Sequence, residues 1–376
     1  MKVIGIHAEG LPLFKDGIDI GFTATQRVSN EDKGSLIKLF NNVYLNPTEA
    51  IIGINASGKT SVLKVILVAL GILNNEPINH IPAKDILGKA GNISLTICFF
   101  SHKHLYKLNT KIAFVNDRYV ITDEVIFGKA IDEVKLKKAL MDFDDTMVMV
   151  SRRGDEEFLS DDVSIVISLN KKNKDYAFVE DMLSYTNINI LPNADEIPSA
   201  VISFLDPTVQ MISFEKQNGK ELIHLKFKSQ DEIVLNNAKE LENYLSSGTI
   251  KGIITFSKAM EVLKHGGYMI IDEVENHFNK EIVATLMRFF MDTKFNRNGA
   301  VLIFSTHYPE LLDEYDRNDS IYITRNRGGI ELKSLTDVLK RNDVKRSDAY
   351  QSGLLDGTTP AYEAYMQLKK SIEAYV

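Results

Sequence analysis

The sequence predicts an α/β fold that carries an antiparallel β lobe and an inserted, mainly helical segment. Three observations predict it. Short apolar runs, typical of buried parallel strands, alternate with helical patterns near both ends of the chain. A turn rich in glycine and serine joins the first of these runs to a helix. Between the two α/β regions, several segments alternate apolar and polar residues, as half-buried antiparallel strands do.

The first predicted part, residues 1–128, combines both kinds of strand. KVIGIHA and IDIGF are strand patterns, and Ala50–Ile54 is a buried strand pattern, AIIGI. The helix predicted at Lys59–Leu73 is apolar on most sides, so we expect it to be buried. From Asn92, the segments ISLTICFF, LYKLNTKIAFV and RYVITDEVIF predict the antiparallel strands of a separate sheet.

The second and third parts are residues 129–199 and residues 200–376. Residues 129–199 are polar and mostly helical in pattern, and we interpret them as an insertion. After a hairpin series, the α/β pattern resumes with a helix at Thr249–Lys264, the strand YMIID, a helix at Lys280–Asp292 and the strand AVLIFST. We therefore predict one discontinuous α/β domain whose two ends fold together.

Composition is that of an ordinary globular protein. The 376 residues are 44% apolar and 25% charged, which excludes disordered and fibrous classes. The 44 basic and 51 acidic residues give a net charge of −7, which argues against a basic coat for nonspecific nucleic-acid binding. The single cysteine, Cys98, excludes an internal disulfide framework. With no signal-peptide pattern and no apolar run long enough to span a bilayer, we expect a cytoplasmic protein without a membrane partner.

Residues Gly53–Thr60 read GINASGKT, an intact G-x-x-x-x-G-K-T motif between a predicted strand and a predicted helix. Gly53 and Gly58 allow backbone N–H groups to curve around phosphate oxygens, and the helix N-terminus adds the positive end of its dipole. Lys59 supplies a positive charge to the β- and γ-phosphates, and the Thr60 hydroxyl is a ligand for Mg²⁺. Because no Asn-Lys-x-Asp guanine motif is present, the sequence predicts ATP rather than GTP.

Two later strand ends supply residues for hydrolysis. YMII is followed by Asp272, which we expect to hold Mg²⁺, and by Glu273, which we expect to act as general base. The alternative is that these acids only end a buried strand at the surface. The motif at Gly53–Thr60, which we call the phosphate loop, disfavours that alternative. His307 follows the next apolar strand in FSTHYPE. If the two strands are parallel neighbours, His307 faces the same crevice and contacts the γ-phosphate or orients the attacking water.

A second glycine-containing segment, Leu245–Thr249, reads LSSGT and precedes a predicted helix. Hydroxyl groups and a glycine at a helix N-terminus form an anion site, but they also form an ordinary helix cap, and the two interpretations carry similar weight. A second phosphate-binding helix start is redundant within one monomer. It has a use if it completes the nucleotide site of another protomer.

The order GINASGKT, LSSGT, IIDEVEN, FSTH resembles ABC-type ATPase heads, including the SMC and RecF-like group. It is most similar to the prokaryotic AAA-labelled ATPases that accompany phage-defence nucleases, relatives of the overcoming-lysogenization-defect family. The resemblance covers both ends of the chain but not its middle. It implies that Asn55 and Ser57–Thr60 bind the phosphates, with Ala56 and Ser61 beside them, and that His307 is the switch histidine. It also implies that Ser246, Ser247 and Gly248 reach the γ-phosphate of the opposite protomer.

The resemblance implies an ATPase that dimerises on ATP through composite sites and so controls a separate effector, such as a nuclease, in anti-phage defence. The alternative is an SMC/RecF-like DNA-repair ATPase that acts directly on DNA. The absence of heptads and the net acidity disfavour it, whereas the basic clusters Lys171–Lys174 and Lys340–Arg346 leave contact with nucleic acid open. A transporter motor is disfavoured because SSGT replaces the transporter signature.

Overall fold

The structure is a computed structural model of the chain. It describes residues 1–89, 91–134, 137–153, 158–183, 197–217, 220–276, 278–340, 344–355 and 362–375. Asn218 and Gly219, an Asn-Gly pair whose sequence predicts a hairpin turn, lie outside these ranges.

The described residues form strands and α-helices in the following order. The strands are β1 (Lys2–Glu9), β2 (Ile18–Gly21), β3 (Ile37–Phe40), β4 (Val43–Leu45), β5 (Thr48–Ile52), β6 (Asn92–Ser101), β7 (His104–Val115), β8 (Arg118–Ala130), β9 (Val148–Arg152), β10 (Val179–Asp181), β11 (Val209–Gln217), β12 (Lys220–Phe227), β13 (Ile233–Leu235), β14 (Tyr268–Ile271), β15 (Val301–Thr306), β16 (Ile321–Asn326) and β17 (Ile330–Ser334). The α-helices are α1 (Lys59–Leu73), α2 (Ile167–Asn173), α3 (Ser199–Leu205), α4 (Ser247–His265), α5 (Lys280–Met291), α6 (Leu335–Val338), α7 (Arg346–Gln351) and α8 (Tyr362–Tyr375).

The central sheet has the strand order β10-β14-β15-β5-β16-β17. Its first five strands are parallel, and β17 returns antiparallel to β16. The structure therefore confirms a mixed α/β fold and the predicted parallel neighbours β14 and β15. Because β5 lies on the other side of β15, the carboxyl ends of these three strands meet at one edge of the sheet.

Both faces of the central sheet are covered, which explains why its inner strands β5, β14 and β15 are buried along their whole length. On one face, Ile51, Ile270 and Ile303 pack in the same core as α1 and the antiparallel sheet. The residues that follow each of these in sequence point to the other face, where they pack with α4 and α5. Because successive side chains of a strand point to opposite faces, each of these strands contributes to both hydrophobic cores.

The antiparallel sheet has the order β2-β1-β6-β7-β8-β9. The three predicted strands, β6 to β8, are antiparallel as expected. They belong to a sheet separate from the central one, as predicted, and β1 joins the same sheet by pairing with β6 along most of its length. One face of the sheet packs against α1, and the other is covered by the β3–β4 hairpin and by residues near Val134 and Leu140.

The prediction of a mainly helical insertion at residues 129–199 was wrong for the described part of this segment. Its α-helix, α2, has only seven residues, and the other helical pieces are short 3-10 turns. Two strands come from the same segment: β9 extends the antiparallel sheet, and β10 extends the central sheet beside β14. The abundant polar residues close short turns rather than line helices, and the valines of β9 favour a strand.

Within the described residues, no helix combines the length and the apolar character needed to cross a bilayer.

Candidate functional site

Three segments meet in a cavity of about 310 Å³ at the carboxyl edge of the central sheet. They are the loop after β5, the acidic turn after β14 and the segment after β15. Eight predicted residues line this cavity: Asn55, Ala56, Gly58, Lys59, Thr60, Ser61, Glu273 and His307. The structure therefore brings together residues that are far apart in the sequence.

The loop before α1 is folded tightly against β16. Ala56 and Gly58 have positive φ angles, 60° and 105°, which curve the chain around the cavity. The Ser57 hydroxyl lies 2.7 Å from the Thr324 hydroxyl and is buried. The structure therefore directs the Ser57 side chain to β16 and away from the cavity, although the sequence placed it among the phosphate contacts. Gly53 likewise lies behind the loop, where its carbonyl accepts a hydrogen bond from Lys59 Nζ.

The Lys59 ammonium is held across the loop. Its Nζ donates to the carbonyl oxygens of Gly53 at 3.0 Å and Ile54 at 3.3 Å, and it lies 3.4 Å from His307 Nδ1. Burial lowers the pKa of Lys59, and the neighbouring carboxylates, Asp272 first among them, oppose this shift. A positive charge at this place, among backbone N–H groups at a helix start, suits the binding of a polyphosphate.

The acidic turn contacts the start of α1 directly. Thr60 Oγ1 donates to Asp272 Oδ2 at 2.6 Å, and the other carboxylate oxygen of Asp272 accepts from the Ser305 hydroxyl. A hydroxyl and a carboxylate oxygen side by side fit Mg²⁺, which takes oxygen ligands and usually only one or two protein carboxylates besides phosphates and water. These are the two residues that the sequence predicted as its ligands.

The carboxylate of Glu273 lies on the cavity side of the same turn. Its Oε1 is 3.7 Å from His307 Nε2, and its side chain is half exposed. Glu273 adopts a φ of 47°, a conformation that is uncommon for a residue with a side chain. The Asp272 carboxylate contacts Thr60 and Ser305, whereas the Glu273 carboxylate lies near His307, so the two acids have different partners.

Several residues at the cavity were missed in the sequence. Ser305 lies in the motif FSTH and Glu275 in the motif DEVEN, but the sequence predicted roles only for their neighbours. In the structure, Glu275 Oε1 accepts a hydrogen bond from the backbone N–H of His307. Asn326 donates to the Ala56 carbonyl at 3.2 Å. Leu13, half exposed, adds an apolar wall between β1 and β2. For Asn326, the sequence offered one signal: its position at the polar end of the strand pattern SIYITRN, residues 320–326. Such strand ends border crevices in α/β sheets.

The segment Ser246–Gly248 is placed elsewhere. Ser246 caps α4: its hydroxyl accepts the Thr249 N–H at 3.0 Å and lies 2.8 Å from the Thr249 hydroxyl. No residue of this segment is among the described residues that line the cavity. One turn further along α4, Lys251 lies with Asp272 and Glu273 around a small cavity of about 30 Å³. The helix therefore touches the acidic turn of its own chain, while its first residues lie outside the site.

A larger cavity, of about 540 Å³, lies at the opposite edge of the central sheet. It holds two arginines, but each is engaged by two carboxylates: Arg288 by Glu281 and Glu314, and Arg317 by Asp32 and Asp319. It contains none of the predicted site residues, so its size alone does not make it the candidate site.

Comparisons with known proteins add no family. A scan against protein-family models finds no match, and a search of curated proteins finds no significant one. The functional proposal therefore rests on the motifs and on the described geometry.

Proposed function

We propose that this protein binds and hydrolyses ATP with Mg²⁺, as a P-loop NTPase of ABC-ATPase type. The observation that carries the proposal is the 2.6 Å hydrogen bond between Thr60 and Asp272, residues separated by 212 positions. It places the start of the phosphate-loop helix and the acidic strand end at one point, beside the Lys59 ammonium. Chance glycine-lysine turns have no reason to meet such a partner.

Binding is assigned to the loop and to Lys59. The backbone N–H groups at the start of α1 and the Lys59 ammonium hold the phosphates, because both present positive charge to the cavity. Thr60 and Asp272 would hold Mg²⁺, which supplies neutralisation of the phosphate charge when bound. Leu13 and Asn326 border the same cavity and limit the space left for the rest of the nucleotide.

Hydrolysis is assigned to Glu273 and His307. A water oxygen attacks the γ-phosphorus, the bond from that phosphorus to the bridging oxygen breaks, and ADP and phosphate leave. The Glu273 carboxylate accepts the proton of the water, and His307, within 3.7 Å of it, orients the water or contacts the γ-phosphate. This division of roles suits two side chains that face one cavity from neighbouring strands.

The proposal extends to a homo-oligomer, at least a dimer. What supports it is the position of Ser246, Ser247 and Gly248, which do not line the cavity of their own chain, together with the resemblance, which implies that they reach the γ-phosphate of the opposite protomer. Control of a separate effector such as a nuclease, in anti-phage defence, is supported only by the resemblance of the motif order.

The ATPase proposal is tested by comparing Lys59→Ala with Lys64→Ala. Both lysines are on α1, but Lys64 points to Asp85, 2.9 Å away, and takes no part in the cavity. We expect the wild-type chain to bind and hydrolyse ATP, and Lys59→Ala to lower kcat/KM by about 100-fold or more, the effect of removing one fixed charge at a reacting group. Lys64→Ala should retain activity.

The readouts are phosphate release and binding of a fluorescent ATP analogue, both with Mg²⁺. A wild-type protein that neither binds nor hydrolyses ATP would contradict the proposal. So would hydrolysis that survives Lys59→Ala unchanged, because the activity would then come from another site or a contaminant.

A further inference from the structure

Two polar side chains link the ends of β14 and β15 in opposite directions. Ser305, at the end of β15, reaches the acidic turn after β14. Glu275, in that turn, reaches back to the segment after β15. We infer that Ser305 and Glu275 are positioning residues: Ser305 sets the place of Glu273, and Glu275 sets the place of His307. The inference rests on the proposed ATP hydrolysis.

Ser305 holds both acids of the turn. Its hydroxyl donates a hydrogen bond to Asp272 and accepts one from the backbone N–H of Glu273 at 2.7 Å. The hydroxyl therefore binds the turn both as a donor and as an acceptor. Its carbonyl accepts the N–H of the next residue, Val274, at 3.0 Å. The Ser305 side chain is fully buried, so no water competes for these bonds. A fixed hydroxyl of this kind holds the turn in one conformation.

The conformation that Ser305 holds is an uncommon one. Glu273 has a φ of 47°, which residues with side chains adopt rarely and keep only where the surroundings enforce it. The hydrogen bond from Glu273 N to Ser305 supplies such a constraint at the very residue concerned. Without it, the turn is expected to relax and the Glu273 carboxylate to leave its place 3.7 Å from His307.

Glu275 acts on the other strand end. One carboxylate oxygen accepts the backbone N–H of His307, which fixes the start of the segment that carries the imidazole. The second oxygen is buried and has no hydrogen-bond partner among the described residues. Burying a carboxylate oxygen without a partner is unfavourable, so fold stability alone gives little reason for an acid here. Positioning of His307 gives one.

The competing interpretation is that Ser305 and Glu275 only stabilise the sheet edge. A purely structural role predicts that substitution weakens folding and, with it, nucleotide binding and turnover together. A positioning role predicts that turnover falls while nucleotide binding stays, because Lys59 and the loop amides bind phosphate independently of Glu273 and His307. Measuring kcat and the ATP dissociation constant separately distinguishes the two interpretations, because only a structural role changes both.

The experiment uses the full chain and four variants: Ser305→Ala, Glu275→Ala, Glu275→Gln and Ser164→Ala. Ser164 is the matched control, since its buried hydroxyl also donates to a carboxylate, Glu124, and accepts a backbone N–H, from Val166, but it lies in the loop before α2, away from the candidate site. Glu275→Gln keeps a carbonyl oxygen that can accept the His307 N–H. Phosphate release, binding of a fluorescent ATP analogue and thermal unfolding are measured for each.

We expect Ser305→Ala and Glu275→Ala to lower kcat by about 10- to 100-fold, the size of a misplaced general base. The dissociation constant for the ATP analogue, measured without Mg²⁺ so that Asp272 does not contribute, should stay within about twofold of wild type. Glu275→Gln should restore most of kcat, and Ser164→Ala should retain it even if its unfolding temperature drops.

The inference is overturned if Ser305→Ala and Glu275→Ala turn over normally, or if they lose binding and turnover in parallel. If Ser305→Ala does not fold, the Glu275 pair decides: equal losses in Glu275→Ala and Glu275→Gln contradict the positioning of His307. A wild-type chain without ATPase activity overturns the proposed function itself. An active wild-type chain whose variants are unaffected overturns only the positioning roles.

Discussion

At the level of single residues, the phosphate loop is shaped by a strand that lies far away in the sequence. Ser57 and Thr324, whose hydroxyls are 2.7 Å apart, are separated by 267 positions. Gly53 lies directly beneath them, where a Cβ atom would come within 2.8 Å of the Thr324 carbonyl oxygen and closer still to both hydroxyls. The loop therefore needs a glycine at position 53 for its close approach to β16.

We predict that Gly53→Ala destabilises the protein and weakens ATP binding. The added methyl group meets backbone and buried hydroxyls that cannot all move, so we expect a loss of about 2 kcal/mol in the free energy of unfolding. Urea unfolding and binding of a fluorescent ATP analogue measure the two effects. Gly34→Ala is the control, because a Cβ there meets nothing within 4 Å, and it should change stability by under about 0.5 kcal/mol. Equal stability of both variants would contradict the prediction.

The same residues show what the motif could and could not predict. In G-x-x-x-x-G-K-T the fixed glycines, lysine and threonine have chemical roles, and the structure places Gly58, Lys59 and Thr60 at the cavity. The intervening positions have no fixed role. The resemblance assigned Ser57 to phosphate, yet its hydroxyl contacts Thr324 of β16, and no local pattern reveals a neighbour 267 positions away.

At the level of secondary structure elements, the long amphipathic and apolar segments were predictable and the short ones were not. Helix α1 begins and ends at the predicted residues, and β6, β7, β8, β14 and β15 lie where alternation or apolar runs indicated. β9 and β10, of five and three residues, are too short to show a period, and their sheet partners determine them. The middle segment therefore looked helical and instead extends both sheets.

The junction of β9 with β8 contains a buried ion pair. Arg152 and Glu124 are both fully buried, with Nε and Oε2 3.4 Å apart. Glu124 also accepts hydrogen bonds from the Thr110 and Ser164 hydroxyls and from the Ile165 N–H. This network ties β7, β8 and β9 to the loop that leads into α2, which gives β9 its place despite its length.

We predict that Arg152→Met lowers the free energy of unfolding by about 3 kcal/mol, because it leaves the Glu124 carboxylate buried without its cation. Adding Glu124→Gln should recover part of the loss, since a neutral amide costs less to bury. A double-mutant cycle by urea denaturation measures the coupling. Additive losses would show that the two side chains do not depend on each other.

At the level of the whole molecule, the site exists only because the two ends of the chain fold into one sheet. β5 comes from the first part of the sequence, and β14, β15 and β16 come from the last part, yet β5 lies between β15 and β16. Such an arrangement leaves the segments between them free to form the antiparallel sheet on one face. It also places Ser246, Ser247 and Gly248 at the start of α4, outside the cavity of their own chain.

We predict that ATP drives this protein into a dimer. Glu273→Gln should bind ATP without hydrolysing it, so that light scattering shows a monomer without nucleotide and twice the monomer mass with ATP and Mg²⁺. Gly248→Arg in the same background should abolish the dimer, because a long side chain at the start of α4 blocks the partner's phosphates. Met260→Arg, exposed further along α4, is the control and should still dimerise. A chain that stays monomeric with bound ATP, or a dimer that Gly248→Arg leaves intact, would exclude composite sites built on this segment.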